Sequence, residues 1–262
     1  MEAYAISNIG NVRENHEDNL FVPVKNFITS DKQKEIKSNS NQVDFNYSGD
    51  KGAFVVSDGM GGHNAGEVAS RIAVEKVCEK YEGLLTSNKE DLLKFVKDLN
   101  EYICVESDKV PDYSNMGTTF SGLIINEGKV SLLQVGDSRI YKFADGSLKQ
   151  LSRDHTEGNR LLESGVIKKE DLEKFPNRKS LYKYMGRKVD LVADYETFDI
   201  KPGDKFIISS DGLTDTLRDE DILETFKNKL SPKEVCEDLV KKCLARGDRC
   251  SDNVTIICIK NE

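Results

Sequence analysis

Short apolar runs recur along the chain, and most end at Gly, Asn or Asp, a pattern that predicts β-strands. The runs are residues 3–7, 20–24, 53–57, 119–125, 130–135, 139–143, 206–209 and 254–259. Glycine-containing turn signals separate several of them and indicate antiparallel hairpins. Residues 29–52 are rich in Ser, Asn, Lys and Asp and predict an exposed loop, within which alternating apolar side chains at Val43, Phe45 and Tyr47 favour one strand.

Apolar residues at helical spacing predict two helices between the early and middle strands. Their buried faces would hold Ala69, Ile72, Ala73 and Val77 in the first helix, and Leu92, Phe95, Val96, Leu99 and Ile103 in the second. A third helix is predicted to begin at Ser231, where Pro232 and Glu234 complete a capping box. Strands in hairpin series with helices bunched between them favour an α+β sandwich over alternating βαβ units. No repeat or linker divides the chain, so we expect a single domain over residues 1–262.

Composition narrows the functional classes. The chain has 262 residues and a formal net charge of −8, which disfavours a dedicated nucleic-acid binder. No apolar run approaches the roughly 20 residues of a membrane span, and the N-terminus lacks a secretory pattern. None of the six cysteines forms a Cys-x-x-Cys pair. Reduced core thiols in a cytoplasmic protein are therefore expected, with zinc or disulfides as the alternative.

Acidic residues lie where the predicted strands begin or end. They are Glu17 and Asp18 before the second strand, Asp58, Asp137 and Asp211 directly after later strands, and Asp252 before the last. A rigid sheet can hold such groups still at one edge. Each aspartate alone is typical of a turn residue that caps backbone N–H groups. The repetition at four strand edges favours a functional cluster.

Several carboxylates at one sheet edge repel each other unless cations neutralise them. Oxygen ligands without thiols favour Mg²⁺ or Mn²⁺ over zinc, and the chain has only three histidines. Gly59, which has no Cβ, lets the backbone approach a cation closely and offer its carbonyl. The glycines after Asp58 fit neither a dinucleotide-binding nor a Walker motif, which argues against a nucleotide loop.

Seven segments together resemble a known family. In order they are GNVRENHED at 10–18, DGMGGH at 58–63 with GE at 66–67, GTT at 117–119, GDSR at 136–139, DH at 154–155, SDGLTD at 210–215 and SDNVT at 251–255. Each is weak alone, but the ordered set is similar to the metal-dependent protein serine/threonine phosphatases, also called protein phosphatase type 2C or PPM. The resemblance runs from about residue 3 to 260 and is strongest to the bacterial stand-alone type.

The resemblance implies a four-layer α-β-β-α fold, in which two antiparallel sheets pack as a central sandwich flanked by helices. It also implies two core Mn²⁺ or Mg²⁺ ions and a third ion. By resemblance, Asp58 bridges the two core ions, the Gly59 carbonyl binds one of them, and Asp211 and Asp252 bind the other. The resemblance also implies that Asp137 holds the third ion with help from Asp215, and that Glu17 and Asp18 order metal-bound water. Arg13 corresponds to the residue that holds the substrate phosphate.

The implied reaction is hydrolysis of phosphoserine and phosphothreonine in proteins by a metal-bridging water, which would reverse Ser/Thr kinase signalling. The expected partners are phosphoprotein substrates, including a Ser/Thr kinase, with no nucleic acid and no membrane, and the chain is expected to be a monomer. Met60 replaces a histidine proposed as general acid in eukaryotic members, so water on a metal is expected to protonate the leaving group. His63 is expected to be structural, and His16 stands where many members have Asn.

Residues 153–190 correspond to the flap subdomain of the bacterial relatives. They hold ten basic and seven acidic residues, a net +3, which would favour anionic substrates unless it is an ordinary mixed-charge surface. Two other functions stay open at this point. A phosphohydrolase of the same fold could act on a small molecule or a regulatory protein, or the chain could be a non-catalytic binding module. The second is disfavoured because every matched carboxylate and Arg13 are present.

Overall fold

Twelve strands form two antiparallel sheets in the computed structural model, which describes residues 1–24, 42–61, 65–228 and 231–262. The strands are β1 (Glu2–Asn8), β2 (Asp18–Phe21), β3 (Gln42–Ser48), β4 (Gly52–Met60), β5 (Gly117–Thr118), β6 (Phe120–Asn126), β7 (Lys129–Val135), β8 (Arg139–Ala144), β9 (Ser147–Gln150), β10 (Asp194–Asp199), β11 (Lys205–Ser209) and β12 (Val254–Lys260). The first sheet has the order β3-β1-β12-β11-β8-β9. The second has the order β10-β7-β6-β4-β2, and β5 extends it by pairing with β4.

Six α-helices lie in these described ranges. They are α1 (Ala65–Thr86), α2 (Lys89–Lys109), α3 (Glu157–Glu163), α4 (Asp211–Thr216), α5 (Asp219–Lys227) and α6 (Pro232–Leu244). Short 3₁₀ turns occupy Pro111–Tyr113, Lys169–Lys174 and Gly247–Arg249. None of the helices described is both long and apolar enough to cross a membrane.

Alternation along the strands divides the core into layers. In β4, Phe54 and Val56 pack between the two sheets, whereas Ala53 and Val55 pack against α1 and α2. Strand β12 does the same in the first sheet, where Ile257 faces the other sheet and other residues face α4 to α6. The order of layers is therefore helices, sheet, sheet, helices, which confirms the expected α+β sandwich.

The predicted strands and the three predicted helices are all present. The alternation at 43–47 is β3, and Ser231 caps α6 through a capping box with Glu234. Residues 29–41 of the predicted loop lie outside the described residues. The short elements β5, β9 and α3 to α5 were not predicted. All six cysteines are unpaired, and Cys78 alone is exposed, which agrees with the expectation of reduced thiols.

The two ends of the chain pair in the middle of the first sheet. Strand β1 runs antiparallel to β12 from Glu2 opposite Lys260 to Asn8 opposite Val254. The loop that follows β1 and the loop that precedes β12 therefore emerge side by side. They meet at the sheet edge where β11 ends.

Candidate metal centre

One cleft of about 420 Å³ gathers seven of the nine residues that were assigned a role from sequence. It is lined by Arg13, Glu17, Asp58, Gly59, Met60, Gly61, Thr119, Asp137, Lys179, Ser180, Leu181, Asp211 and Asp252. Of the other two, Asp18 is 3% exposed and lies beneath the cleft, and Asp215 lines an adjoining cleft. The carboxylates come from five separate chain segments, and the fold brings them to one edge of the sandwich.

Asp58 and Gly59 lie within β4, which continues to Met60 and does not end at residue 57 as predicted. Cross-strand pairing extends it, since Asp58 lies opposite Asp18 and Gly59 opposite Thr118. A Cβ on Gly59 would lie 2.2 Å from the carbonyl oxygen of Gly66. Only glycine therefore fits where this strand meets the start of α1.

Thr119 connects the Asp58 strand to the loop that carries Asp137. Its Oγ1 accepts a hydrogen bond of 2.9 Å from the backbone N–H of Asp58 and lies 2.7 Å from Ser138 Oγ. The same loop is held by His155, whose Nδ1 accepts from the backbone N–H of Gly136 at 3.0 Å. These contacts fix the separation of the Asp58 and Asp137 backbones.

Asp211 is the first residue of α4 and follows β11 directly, so a strand-to-helix corner presents it. Ser210, the residue before it, donates a hydrogen bond of 2.7 Å from Oγ to Asp18 Oδ2. Asp18 thus fastens this corner to β2 from below. The hydrogen bond of Asp18 is thus to Ser210, whereas its neighbour Glu17 lines the cleft.

Asn253 ties the N-terminal loop to the C-terminal one. Its side-chain amide donates to the carbonyl oxygens of Ile9 and Asn15, and its Oδ1 accepts from the N–H of Glu17 at 2.7 Å. Across the same junction, Arg13 Nη2 donates to Asp252 Oδ2 at 2.8 Å. The guanidinium is 47% exposed at the mouth of the cleft, where it can reach a ligand from solvent.

The buried carboxyl groups perturb each other's ionisation. Burial raises the pKa of Asp137 to about 8, and the charge of Asp211 adds to the effect. Burial raises the pKa of Asp211 to about 7, with further increases from Asp215 and Asp252. Burial and four neighbouring aspartates raise the pKa of Asp58 well above its ordinary value. At neutral pH the cluster therefore holds protons that a cation would displace.

The donor set fits hard divalent cations that retain water. No three Asp, Glu, His or Cys side chains among the described residues converge tightly enough to enclose a single ion. Mg²⁺ is commonly bound through only one or two carboxylates and keeps several waters, and the 420 Å³ cleft has room for them. Because the buried aspartates repel one another, binding of such ions is electrostatically favourable.

The histidines of the described residues lie outside the cleft lining. His155 is buried, and its Nε2 lies 3.0 Å from Asp194 Oδ2. His63 lies outside the described residues. His16 is buried and 3.0 Å from Ser7 Oγ, and burial lowers its pKa to about 4.

Sequence reasoning missed Lys179, Ser180 and Leu181, which bring the flap to the cleft. Lys179 forms an ion pair with Asp215 on α4. A second cleft of about 660 Å³ adjoins the first and shares Asp137, Lys179 and Asp211 with it. The positive charge of residues 153–190 was the available signal, but charge alone does not show which lysine reaches the aspartates.

Comparison with known proteins shows the family and the fold. A family model described as protein phosphatase 2C matches residues 34–246. The serine/threonine phosphatase stp of Listeria monocytogenes is 31% identical over 213 residues, which cover 79% of this chain and 84% of that protein.

Two solved structures are also similar. The S. agalactiae serine/threonine phosphatase matches with a TM-score of 0.83 and full coverage of both chains, and at 24% identity this likeness concerns the fold. The catalytic domain of the serine threonine protein phosphatase PstP, solved with two manganese ions, matches with a TM-score of 0.73 and 27% identity over 98% of each chain. Since the family model covers most of the chain and the fold agrees throughout, the chain belongs to the protein phosphatase 2C family.

Proposed function

We propose that this protein serine/threonine phosphatase hydrolyses phosphoserine and phosphothreonine at the acidic cleft, with Mn²⁺ or Mg²⁺ held by its aspartates. The observation that carries the proposal is the convergence of Asp58, Asp137, Asp211 and Asp252 on one cleft that also contains Arg13. Burial and mutual repulsion raise the pKa values of Asp58, Asp137 and Asp211. Such a cluster is costly in a binding module, whereas a metal-dependent phosphatase requires it.

Asp58, the Gly59 carbonyl, Asp211 and Asp252 would hold two core ions, and Asp137 with Asp215 would hold a third. When bound, divalent ions at such a site lower the pKa of water and neutralise charge on phosphoryl oxygens. The protein's contribution is a rigid arrangement of ligands. The Asp58–Thr119–Ser138 contacts and the Asp18–Ser210 hydrogen bond provide that rigidity.

Arg13 would bind the phosphate of the substrate. A guanidinium can donate to two phosphoryl oxygens at once, and this one stands at the mouth of the cleft. Its present partner is Asp252, so the arginine would exchange a carboxylate for a phosphate when substrate arrives. Glu17, on the cleft wall, is placed to orient water, while Asp18 below it sets the position of the Asp211 corner.

The leaving serine or threonine oxygen needs a proton. The described lining residues include no histidine, and Met60 occupies the wall beside Gly59. We assign the leaving-group side of the cleft to Asp137, on the side that adjoins the second cleft. Solvent held there by the third ion's ligands would supply the proton.

We further propose that residues 153–190 form the flap subdomain of a single catalytic domain. Within it lie α3 and the turn Lys169–Lys174, and isolated bridges join Thr156 to Leu181 and Thr118 to Met185. Most flap cations have carboxylate partners close by, such as Arg160 with Glu157, so much of the net positive charge is locally balanced. We also propose that the substrates include a Ser/Thr kinase and that the protein is a monomer.

A panel of phosphoserine and phosphothreonine peptides, assayed with and without Mn²⁺, tests the proposal. Phosphate release should require added metal, vanish in Asp58→Asn, and survive alkylation of exposed thiols, since Cys78 is the one exposed cysteine. Asp248→Asn, which removes an equal charge from an exposed turn, should keep wild-type activity. Turnover after exhaustive chelation would refute the metal mechanism. Activity on small phosphate esters with none on any peptide would favour the small-molecule alternative.

A further inference from the structure

A lysine of the flap reaches the aspartates of the cleft. Lys179 and its neighbour Ser180 line the cleft together with Asp137 and Asp211. The ammonium group donates a hydrogen bond to Asp215, which lies one helical turn after Asp211 on α4. A positive charge from the flap thus occupies the end of the cleft at which a third cation would bind.

The ammonium acts on more than its immediate partner. Lys179 lines the same cleft as Asp211, a carboxylate assigned to the core ions, which lies one helical turn before Asp215. An added divalent cation at this end would meet both a partly neutralised carboxylate and a like charge.

Other flap cations pair elsewhere. Among the described residues of the flap, Lys174 pairs with Asp171, Lys183 with Asp194 and Lys188 with Asp108, none of which lines the cleft. Lys179 is distinguished by a partner that belongs to the α4 side of the site. Replacing Lys179 and, separately, another flap lysine therefore distinguishes the specific effect of Lys179 from a general effect of flap charge.

We propose that Lys179 is an internal cation that competes with a divalent ion for the Asp211–Asp215 end of the cleft, so that flap docking and occupation of the weakest metal site oppose each other. This inference rests on the third-cation site of the proposed function. Asp215 cannot serve the ammonium and a cation fully at the same time, and the two positive charges repel. By linkage, the factor by which the docked lysine weakens the ion equals the factor by which the ion weakens docking.

The competition is modest because the pair is accessible to water. The side chains of Lys179 and Asp215 are 59% and 37% exposed. Exposed ion pairs and screened repulsion of this kind predict that Lys179→Gln tightens the weakest site about threefold to tenfold.

The test is calorimetric titration of the metal-free full chain with Mn²⁺, for wild type, Lys179→Gln, Lys179→Arg and Lys174→Gln. We expect three binding events, with the weakest tightened only in Lys179→Gln, while Lys179→Arg and Lys174→Gln match wild type. Adding Lys179→Gln to Asp215→Asn should change the weakest affinity no further, because the shared carboxylate is already gone.

Hydrogen exchange supplies a second readout that does not depend on activity. Mn²⁺ at a concentration that fills the weakest site should speed exchange around residues 178–181 in wild type. In Lys179→Gln exchange there should be fast with or without that ion. The proposal is refuted if Lys179→Gln and wild type bind the weakest ion with equal affinity, or if no variant binds a third ion. It is also refuted if Lys179→Gln raises the weakest affinity as much in Asp215→Asn as in wild type. Loss of the two tight events in wild type would instead refute the core metal centre.

Discussion

Replacing Asp211 with Asn should stabilise the metal-free protein at neutral pH. The folded state raises the pKa of this carboxyl from 3.8 to about 7, first through burial and then through Asp215 and Asp252. In the unfolded chain the group ionises at its ordinary value. As pH rises from about 4 to 7, the unfolded state loses this proton first, so the folded state becomes progressively less stable. The asparagine is neutral in both states and removes that loss.

The magnitude follows from the shift. A change of about 3 pKa units corresponds to about 4 kcal/mol by pH 7, since each unit is worth 1.36 kcal/mol. Asp58 and Asp137 share the same repulsion, and they rearrange their protons when one charge is removed. We therefore expect recovery of about half, near 2 kcal/mol, which is about 4–8 °C in melting temperature for a chain of this size.

The assay is urea and thermal unfolding of chelated protein at pH 5, 6, 7 and 8, with Asp248→Asn as an exposed control of equal charge. Wild type should lose stability with rising pH, and Asp211→Asn should lose less, so that the two curves separate toward pH 8. Saturating Mn²⁺ should reverse the ranking, because the variant lacks a ligand. A metal-free Asp211→Asn protein that is no more stable than wild type at pH 8 would refute the account of a repulsive cluster.

Three further results follow from the same site. Arg13→Ala should lower kcat/KM by about one to two decades and change both KM and kcat, because a charge-assisted contact to phosphate is worth about 1.5–3 kcal/mol. An unchanged KM for phosphopeptides would argue against phosphate binding by Arg13. Asp137→Ala should slow hydrolysis of a phosphoserine peptide more than that of p-nitrophenyl phosphate, whose leaving group needs no proton, and equal losses would remove the leaving-group role. His16→Asn should gain about 2 kcal/mol relative to wild type as pH falls from 6.5 to 5, because burial lowers the folded pKa of His16 to about 4 and the unfolded wild-type chain takes up the proton first; the carboxyl cluster contributes equally to both proteins, and parallel pH profiles of the two melting temperatures would contradict this.

Much of the site could be predicted because its residues lie near the ends of strands that are apolar enough to identify. Asp58, Asp137, Asp211 and Asp252 adjoin the runs that form β4, β7, β11 and β12, and antiparallel pairing brings those ends to one edge. The sandwich followed from the same runs and from the position of the helices between them. The roles of individual aspartates came from the family resemblance, since spacing alone does not distinguish a ligand from a turn residue.

Tertiary contacts decide what the sequence could not. Asp58-Gly59 is typical of a turn, yet pairing with β2 and β5 keeps it extended to Met60. Asp211-Gly212 also has the composition of a turn, but Ser210 begins a short helix there. Lys179 reaches Asp215 across the space between two distant segments, and no local pattern marks which flap lysine does so. Each miss concerns a residue whose structure is set by a partner far away in sequence.

The junction between Arg13 and Asp252 has a consequence for the life of the newly made protein. The two residues are 239 positions apart, and Asn253 fastens the N-terminal loop from the far end of the chain. Chains emerge from the ribosome N-terminus first, at about 5–20 residues per second. Arg13 therefore has no partner at Asp252 until 239 further residues have been synthesised, and β1 lacks β12 for about as long. The cleft cannot form until Asp252 and β12 have been synthesised, and a polypeptide that stops before Asp252 lacks both a central strand of the first sheet and a wall of the cleft.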